Sequence, residues 1–457
     1  MRSRPWIVWF IFAVFGLATL ACNLSGSPEP PTLVPRATDT PLPTIGYATL
    51  SPQELPQQQP SVIVPGVGSD LTSLLNQIES DRLLIHVDAL QGFQTRYVNT
   101  MNETGNRGLG AAYRYVREQF DAIAQRSSGN FIVQEHTFPL TWDGVDTIQR
   151  NVFGYIPGRD IGGGVLVIGA HYDSIMRVQA DSMTYAPGAN DNASGMAGLI
   201  EIARVLASRP HRASIIVVAL GAEEIGRVGS IEFVKFLQSR GIAVDAMLNM
   251  DIIGSSTGPN GEVDDRTMRV FSAGPDNSPS RQLARAINLI DQNMVPNMEL
   301  LIQDTVDRQG RYGDHMSFSE AGFAAVRFVE TLEDRDRQHT AQDTLDDIQI
   351  NYLMKTTQTV LTVAVVFADG LPPPRNISLR QTEGAKPNLI WEPIPNATSY
   401  LIGLRRPGGL IIDTYFPWPT NSVEWEGFTS SLFGTLVISS VDSSGLMGPP
   451  SVEITIP

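Results

Sequence analysis

Residues that could bind a metal ion lie directly after an apolar segment in the first half of the chain. The apolar run 165–168 is followed by His171 and Asp173, and a polar loop then leads to Asp191. Parallel α/β sheets present such groups at the carboxyl edge of their strands, and imidazole with carboxylate suits a metal ion. We interpret this stretch as part of a metal site. Taken alone, an ordinary loop pair and an ordinary helix cap at Asp191 would explain the same residues.

Two adjacent acidic residues, Glu223 and Glu224, follow the apolar run 215–220. Adjacent residues that leave a strand point in different directions. One carboxylate can therefore bind a metal while its neighbour faces the water on that metal. An acidic pair is more often a solvated helix start, and only its position after a buried strand favours the site.

Two further candidate ligands also come after predicted strands. Asp251 follows the run 246–250 and precedes two isoleucines, so it is predicted to be buried, and a buried carboxylate without a partner is very costly. His339 lies in a polar loop after the predicted strand 324–329, and the chain has only six histidines. By itself, His339 would be interpreted as a residue of a surface loop.

Together these positions supply a mixed set of imidazole and carboxylate groups that suits zinc, and less selectively cobalt or manganese. The charge count favours two ions, because four carboxylates in one pocket balance two divalent cations. If Asp191 bridges the ions, each receives three protein groups and keeps open positions for water and substrate. The candidate ligands are His171, Asp191, Glu224, Asp251 and His339, with Glu223 beside them as the candidate proton acceptor.

The elements that must position these residues alternate between apolar strands and helices. Continuous apolar strands joined by helices predict an α/β fold, with a mostly parallel sheet that has helices on both faces. We assign this domain to 69–370. The predicted helices are 71–90, 109–124, 195–208, 229–239, 280–291 and 352–367, and the predicted strands are 131–136, 152–156, 164–170, 214–220, 246–253, 268–273 and 324–329.

The beginning of the chain is typical of an exported protein. Residues 1–22 combine a basic start, the apolar run 6–20 and the chain's one cysteine, Cys22, as in bacterial lipoprotein signals. Plain secretion or an uncleaved anchor are the alternatives. Residues 23–68 are rich in Pro, Thr, Ser and Gln and predict a disordered linker. We therefore expect a location outside the cytoplasm, at the cell surface or secreted, with membrane contact only through this N-terminal lipid or anchor.

The C-terminal part, 371–457, changes to short strands with turn signals and predicts an all-β sandwich. It resembles a fibronectin type III module through Trp391 on an early strand, the strand start 397–400 and the late segment 441–445, although Gly434 stands where these modules usually have Tyr. We expect this C-terminal part to act as a spacer or an adhesive surface rather than as a catalytic unit. The predicted strands are 388–391, 399–404, 409–415, 422–425, 434–441 and 451–456.

The chain length and the net charge limit the number of domains and the kinds of partner that we expect. The 457 residues suit two or three domains, and 42% hydrophobic residues suit a globular protein. The formal net charge of −15 argues against nucleic acid as a partner, because that binding comes mostly from basic groups that meet phosphate.

The segments around the candidate ligands resemble the co-catalytic zinc aminopeptidases of metallopeptidase clan MH, of the bacterial leucyl aminopeptidase and aminopeptidase Y type. The likeness covers roughly 95–366 and lies in the blocks 150–158, 171–173, 187–195, 223–230, 249–254, 313–315 and 339–344. It implies two zinc ions and peptide substrates with a free N-terminus.

The resemblance also implies roles for single residues. Glu223 would accept the proton of the attacking water, and Asp173 would orient His171 through its second ring nitrogen. Two positions depart from the family. Gly313 stands where Ser is frequent, and Gln338 stands where Tyr is frequent, so we expect Gln338 to alter a substrate contact.

Three alternatives remain open at this point. A glutaminyl cyclase has the same fold, although 192–194 and 225–226 are peptidase-like in this chain. A carboxypeptidase of the same clan is the second alternative. The third is a non-catalytic surface adhesin, against which the complete ligand set argues.

Overall fold

The structure is a computed structural model that describes residues 55–56, 62–102, 104–295, 297–307 and 312–457. The expected signal 1–22 and most of the expected linker lie outside these ranges. Residues 62–68 are coil, and the Gly66 amide donates a hydrogen bond to the Gly445 carbonyl. None of the helices in the described ranges combines the length and the apolar character that a membrane span requires.

Eight strands form the central sheet, in the order β1-β2-β4-β3-β5-β8-β6-β7. The strands are β1 Ile132–Trp142, β2 Val145–Ile156, β3 Val165–His171, β4 Ser214–Leu220, β5 Ala246–Met250, β6 Thr267–Ser272, β7 Glu299–Gln303 and β8 Ala325–Glu330. Strands β4, β3, β5 and β8 are parallel, and β7 runs parallel to β6. The pairs β1–β2, β2–β4 and β6–β8 are antiparallel. The predicted α/β fold with a mostly parallel sheet is confirmed.

Helices cover both faces of this sheet. They are α1 Ser69–Leu75, α2 Ser80–Gly92, α3 Gly108–Arg126, α4 Gly195–Leu206, α5 Val228–Ser239, α6 Pro279–Met294, α7 His315–Glu320 and α8 Ile350–Asp369. Successive residues of a strand point to opposite faces. On β4, Val217 accordingly lies in the apolar core with α4 and α8, whereas Val218 lies in the core with α5.

Several predicted boundaries were wrong. The helix predicted at 71–90 is two helices separated by 76–79, and the strand predicted at 246–253 ends at Met250. The strands predicted at 131–136 and 152–156 are longer and form one hairpin around Asp143 and Gly144, both with positive φ. An Asp-Gly pair is the usual signal for such a turn, and it was overlooked in the sequence. Strand β7 and helix α7 were not predicted.

The C-terminal strands form two small antiparallel sheets. One contains β9 Ser378–Arg380, β10 Asn388–Ile390 and β13 Ser422–Glu424, and the other contains β11 Ser399–Arg405, β12 Thr414–Trp418, β14 Thr435–Val441 and β15 Ile454–Thr455. The strand predicted at 409–415 lies further along the chain, as β12. Trp391, Phe416 and Trp425 share an apolar core. The likeness to fibronectin type III and the boundary at residue 371 stay predictions.

The four-stranded sheet also packs against the α/β part. Leu401, Ile412 and Val437 belong to the same apolar core as the central sheet. A Cβ added to Gly403 on β11 would lie only 3.3 Å from Leu289 Cδ2 on α6, so the strand backbone approaches that helix closely.

Candidate metal centre

The candidate ligands lie at the carboxyl edge of the parallel strands. His171 is the last residue of β3, and Asp251 follows β5 directly. Glu224 lies four residues beyond the end of β4, and His339 lies in the loop after β8. Asp191 lies in the short turn Ala189–Ser194 that leads into α4. Parallel neighbours end at the same edge of a sheet, and this brings residues distant in sequence to one place.

The five side chains meet in two groups that share Asp191. In one, His171 Nε2 is 3.3 Å from Asp191 Oδ1 and 3.5 Å from Asp251 Oδ1. In the other, His339 Nε2 is 3.0 Å from Asp191 Oδ2 and 3.1 Å from Glu224 Oε2. Ligands at about 2.0 Å from a tetrahedral ion stand ~3.3 Å apart, so this spacing fits zinc. The five side chains form the same two groups that the sequence predicted. The ligand role of each residue stays a prediction.

Asp173 connects the imidazole to the acidic pair. Its buried carboxylate lies 3.5 Å from His171 Nδ1, on the side of the ring opposite the candidate ion. The same carboxylate accepts hydrogen bonds from the backbone amides of Glu223 at 3.0 Å and Glu224 at 3.1 Å. Asp173 therefore lies where it can orient His171, and it also holds the turn that carries both glutamates.

The loop around Asp191 is held by two buried ionisable side chains, Asp343 and Arg96. Asp343 accepts hydrogen bonds from the amides of Asn190 at 2.7 Å and Asp191 at 3.1 Å. Arg96 donates to the carbonyls of Tyr172, Pro187 and Gly188 at 2.5–2.8 Å. Burial lowers the pKa of Arg96 to about 10, against the opposing charge of Asp343. No sequence pattern marked Arg96, because its partners are backbone carbonyls of a distant loop.

Asn190 connects this loop to two strand ends. Its Nδ2 donates to both carboxylate oxygens of Glu330 at 3.0 Å, and its Oδ1 accepts from the Gly254 amide at 2.9 Å. Glu330 also accepts from the Ser255 amide. Glu330 therefore supports the loop and is not among the candidate ligands.

Asp251 has the partner that a buried carboxylate requires. Arg327 on β8 is only 2% exposed, and its Nε lies 3.0 Å from Asp251 Oδ2. Arg327 Nη1 also lies 3.3 Å from Asp307 Oδ2. A Cβ at Gly313 would lie 2.9 Å from Arg327 Cδ, so the absence of a side chain there leaves the space that Arg327 occupies. Neither Arg327 nor its dependence on Gly313 was recognised in the sequence.

The electrostatics of the centre fit a divalent cation. Burial raises the pKa of Glu223 well above its usual range, and Asp314, Asp251 and Glu224 add to the shift, while His171 opposes it. Burial alone would lower the pKa of His339, but Glu224 and Asp191 outweigh it and raise that pKa to about 11. Two buried oxygens, Glu224 Oε1 and Asp251 Oδ1, accept no hydrogen bond within the described residues. Crowded carboxylates with free oxygens are the environment that a cation neutralises.

A cavity of about 270 Å³ opens beside these groups. Its described lining includes the five candidate ligands and Glu223, together with Gly226, Arg227, Tyr312, Arg327 and Gln338. Gln338 Nε2 donates to Asp191 Oδ2 at 2.7 Å. The expected effect of Gln338 on substrate stays a prediction, and its contact with the shared carboxylate is an additional role.

The chain is similar to known peptidases over this region. Residues 151–364 match the sequence pattern of peptidase family M28. A probable zinc metalloprotease of Pyricularia oryzae is 32% identical over 375 residues, which cover 73% of this chain and 73% of that protein. Another from Leptosphaeria maculans is 29% identical over 351 residues, 70% of this chain and 81% of that protein.

Solved structures support the same fold. The LapA aminopeptidase of Legionella pneumophila superposes with a TM-score of 0.54 at 23% identity, over 70% of this chain and 80% of that one. LapB from the same organism superposes with a TM-score of 0.53 at 23% identity, over 65% of this chain and 74% of LapB. All five candidate ligands lie within the range that matches the family. The chain therefore belongs to peptidase family M28, and it is a zinc metallopeptidase that acts on peptides.

Proposed function

We propose that this protein is a two-zinc aminopeptidase that removes residues from the free N-terminus of peptides. The observation that carries the proposal is the pair of ligand groups that share Asp191, with Glu223 lining the same cavity. His171, Asp191 and Asp251 would hold one ion. Asp191, Glu224 and His339 would hold the other. When bound, zinc supplies Lewis acidity and lowers the pKa of a bound water toward neutrality.

The chain's own groups carry the proton transfers. Glu223 takes a proton from the attacking water and later gives it to the leaving amine. Asp173 keeps the His171 ring in one orientation through Nδ1 and keeps the Glu223 amide in place. Arg327 contacts Asp251 through Oδ2, so Oδ1, which lies 3.5 Å from His171 Nε2, would be the oxygen that holds an ion.

Metal analysis combined with hydrolysis tests this proposal. We expect about two zinc ions per chain, loss of leucyl-anilide hydrolysis with a chelator, and recovery on adding zinc. Asp251→Asn and His339→Ala should each lower the zinc content to about one, because each removes a ligand from a different group. A fully active enzyme with one zinc ion would contradict the two-ion proposal.

Blocked and unblocked substrates test the aminopeptidase activity itself. An N-acetyl group should abolish cleavage, because the free amine is the group to be recognised. Cyclisation of a peptide with N-terminal Gln would instead assign a glutaminyl cyclase, and release of C-terminal residues from blocked peptides would assign a carboxypeptidase. Bound zinc without any of these activities would favour the adhesin.

We also infer that the protein is exported and anchored by a lipid on Cys22. The support is the sequence of 1–22 alone, with its basic start, apolar run and single cysteine. Metabolic labelling with a radioactive fatty acid should mark the wild-type protein in its host and not the Cys22→Ser variant. Equal labelling of both would contradict the anchor.

A further inference from the structure

Charged and polar side chains make up most of the described lining of the active-site cavity. Apart from the candidate ligands and Glu223, the described lining consists of Gly226, Arg227, Tyr312, Arg327 and Gln338. No aliphatic side chain is among these described residues. An apolar side chain of a substrate gains free energy only where it leaves water for apolar surface. Among the described lining residues, Tyr312 is the one large apolar ring that a leucine side chain could contact.

The two arginines of the cavity differ in their partners. Arg327 is 2% exposed and contacts both Asp251 and Asp307. Arg227 is 16% exposed, and its guanidinium meets the Glu320 carboxylate only at 3.4–3.5 Å. Glu320 is itself 54% exposed, and ion pairs with such exposed groups contribute little. Arg227 can therefore exchange this carboxylate for another without leaving a buried charge unpaired.

A backbone hydrogen bond fixes Arg227 close to Glu223, the proposed proton acceptor. Its backbone amide donates to the Glu223 carbonyl, at 2.6 Å, and its φ is +63°. Its guanidinium carbon lies 5.8 Å from the centre of the Tyr312 ring, which lines the same cavity. If two divalent ions balance the four carboxylates of the centre and Asp307 pairs with Arg327, the positive charge of Arg227 is offset mainly by the exposed Glu320.

We propose that the cavity takes a substrate carboxylate at Arg227. A guanidinium binds a carboxylate through two parallel hydrogen bonds, which gives direction as well as attraction. The ligand is a short peptide with a carboxylate near its free amine, either in the side chain of its first residue or at the C-terminus of a dipeptide. This inference rests on the proposed aminopeptidase function and names its substrate class.

Two matched substrate pairs test the proposal on the zinc-loaded full-length protein. Glutamyl-anilide and glutaminyl-anilide differ in the charge of the first side chain, and alanyl-alanine and its C-terminal amide differ in the charge of the second residue. We expect kcat/KM to favour the charged member of one pair by about tenfold or more. The pair that discriminates identifies the source of the carboxylate.

Variants then assign the preference to Arg227. In Arg227→Met the ratio between the two members should fall to near one, mainly through a higher KM for the charged substrate, and Arg227→Lys should keep part of it. Arg240→Met removes one positive charge from an exposed site at the end of α5 and should leave the ratio as in wild type.

The outcomes separate this inference from the proposed function. Leucyl-anilide hydrolysis without discrimination in either pair, or an unchanged ratio in Arg227→Met, overturns the carboxylate site and leaves the aminopeptidase standing. Failure of the zinc-loaded protein to cleave any unblocked substrate overturns the aminopeptidase. In that case, calorimetry tests the carboxylate site by comparing the binding of L-glutamate and L-glutamine. Tighter binding of L-glutamate that is lost in Arg227→Met supports the site, and equal binding of the two refutes it.

Discussion

Glu223 and Glu224 are adjacent in sequence but have different surroundings. Glu224 Oε2 lies 3.1 Å from His339, whereas the Glu223 carboxyl is surrounded by the charges of Asp314, Asp251 and Glu224. Their shared backbone support from Asp173 directs the two side chains from one turn. At the residue scale, this difference fits the proposed roles of Glu224 as a metal ligand and Glu223 as a proton carrier.

Replacing Glu223 by Gln tests that separation. The variant removes the proton acceptor and keeps the shape, so we expect kcat to fall by about two to four orders of magnitude. The zinc content and the melting temperature should stay close to those of wild type. Near-normal peptide hydrolysis by Glu223→Gln would remove this residue from the role.

Gly313 and Arg327 should act as a unit. Gly313→Ala adds a Cβ that would lie 2.9 Å from Arg327 Cδ, so it should displace Arg327 from Asp251. We expect either Gly313→Ala or Arg327→Met to weaken zinc binding about 10- to 100-fold, as the loss of a group that orients a ligand does. Competition with a chromophoric chelator measures this change.

The double variant provides the control for this pair. Once Arg327 is replaced, Gly313→Ala should add little further loss, because the two changes remove the same contact. Additive losses in the double variant would show that Gly313 and Arg327 act independently.

At the scale of elements, a buried carboxyl connects α6 to β7. Asp291 on α6 accepts a hydrogen bond from the Leu300 amide at 3.0 Å, at the second residue of β7. Burial raises its pKa from 3.8 to about 7. Between these two values the unfolded chain has lost this proton and the folded chain still holds it. This carboxyl therefore lowers the stability as the pH rises from about 4 to 7.

Asp291→Asn removes that dependence and keeps an acceptor for Leu300. The melting temperature of the variant minus that of wild type should therefore become more positive between pH 5 and pH 8, by an amount on the order of a few degrees. Asp88→Asn, at an exposed position on α2, serves as the control. A difference that stays constant across this pH range would contradict the argument.

At the scale of the whole molecule, the C-terminal sheets are part of the same packed unit as the α/β part. Leu401 and Val437 lie in the core of the central sheet, and Arg405 contacts Asp276 at 2.9 Å. The buried Arg285 of α6 forms an ion pair with Glu453. Because the four-stranded sheet makes these contacts, we expect it to stabilise the α/β part as well.

Truncation after Gly370 tests this structural role. It would expose the apolar surface that α6 shares with β11 and β14, and it would leave Arg285 without Glu453. We expect a lower melting temperature and a strong tendency to aggregate, measured by calorimetry and light scattering beside the intact chain. A truncated chain with the melting temperature of the intact protein would show that the C-terminal part is an independent spacer.

Local patterns predicted most of the fold. The run 214–220 is a strand with the expected boundaries, because six consecutive apolar residues, four of them β-branched, follow Ser214 and suit a strand buried on both faces. The break at 76–79 was missed, because apolar residues continue on both sides of it. The end of β5 at Met250 was missed as well, since the following loop is also apolar and buried, with Ile252 at a φ of +63°.

The order of residue types along the chain sufficed to predict that five imidazole and carboxylate groups follow the parallel strands and meet at one sheet edge. What holds these groups in place became visible only in the folded chain. Arg327 reaches Asp251 from β8, Arg96 crosses to the carbonyls before Asp191, and Gly313 leaves room for Arg327. Such contacts join side chains and backbone far apart along the chain, and no local periodicity encodes them.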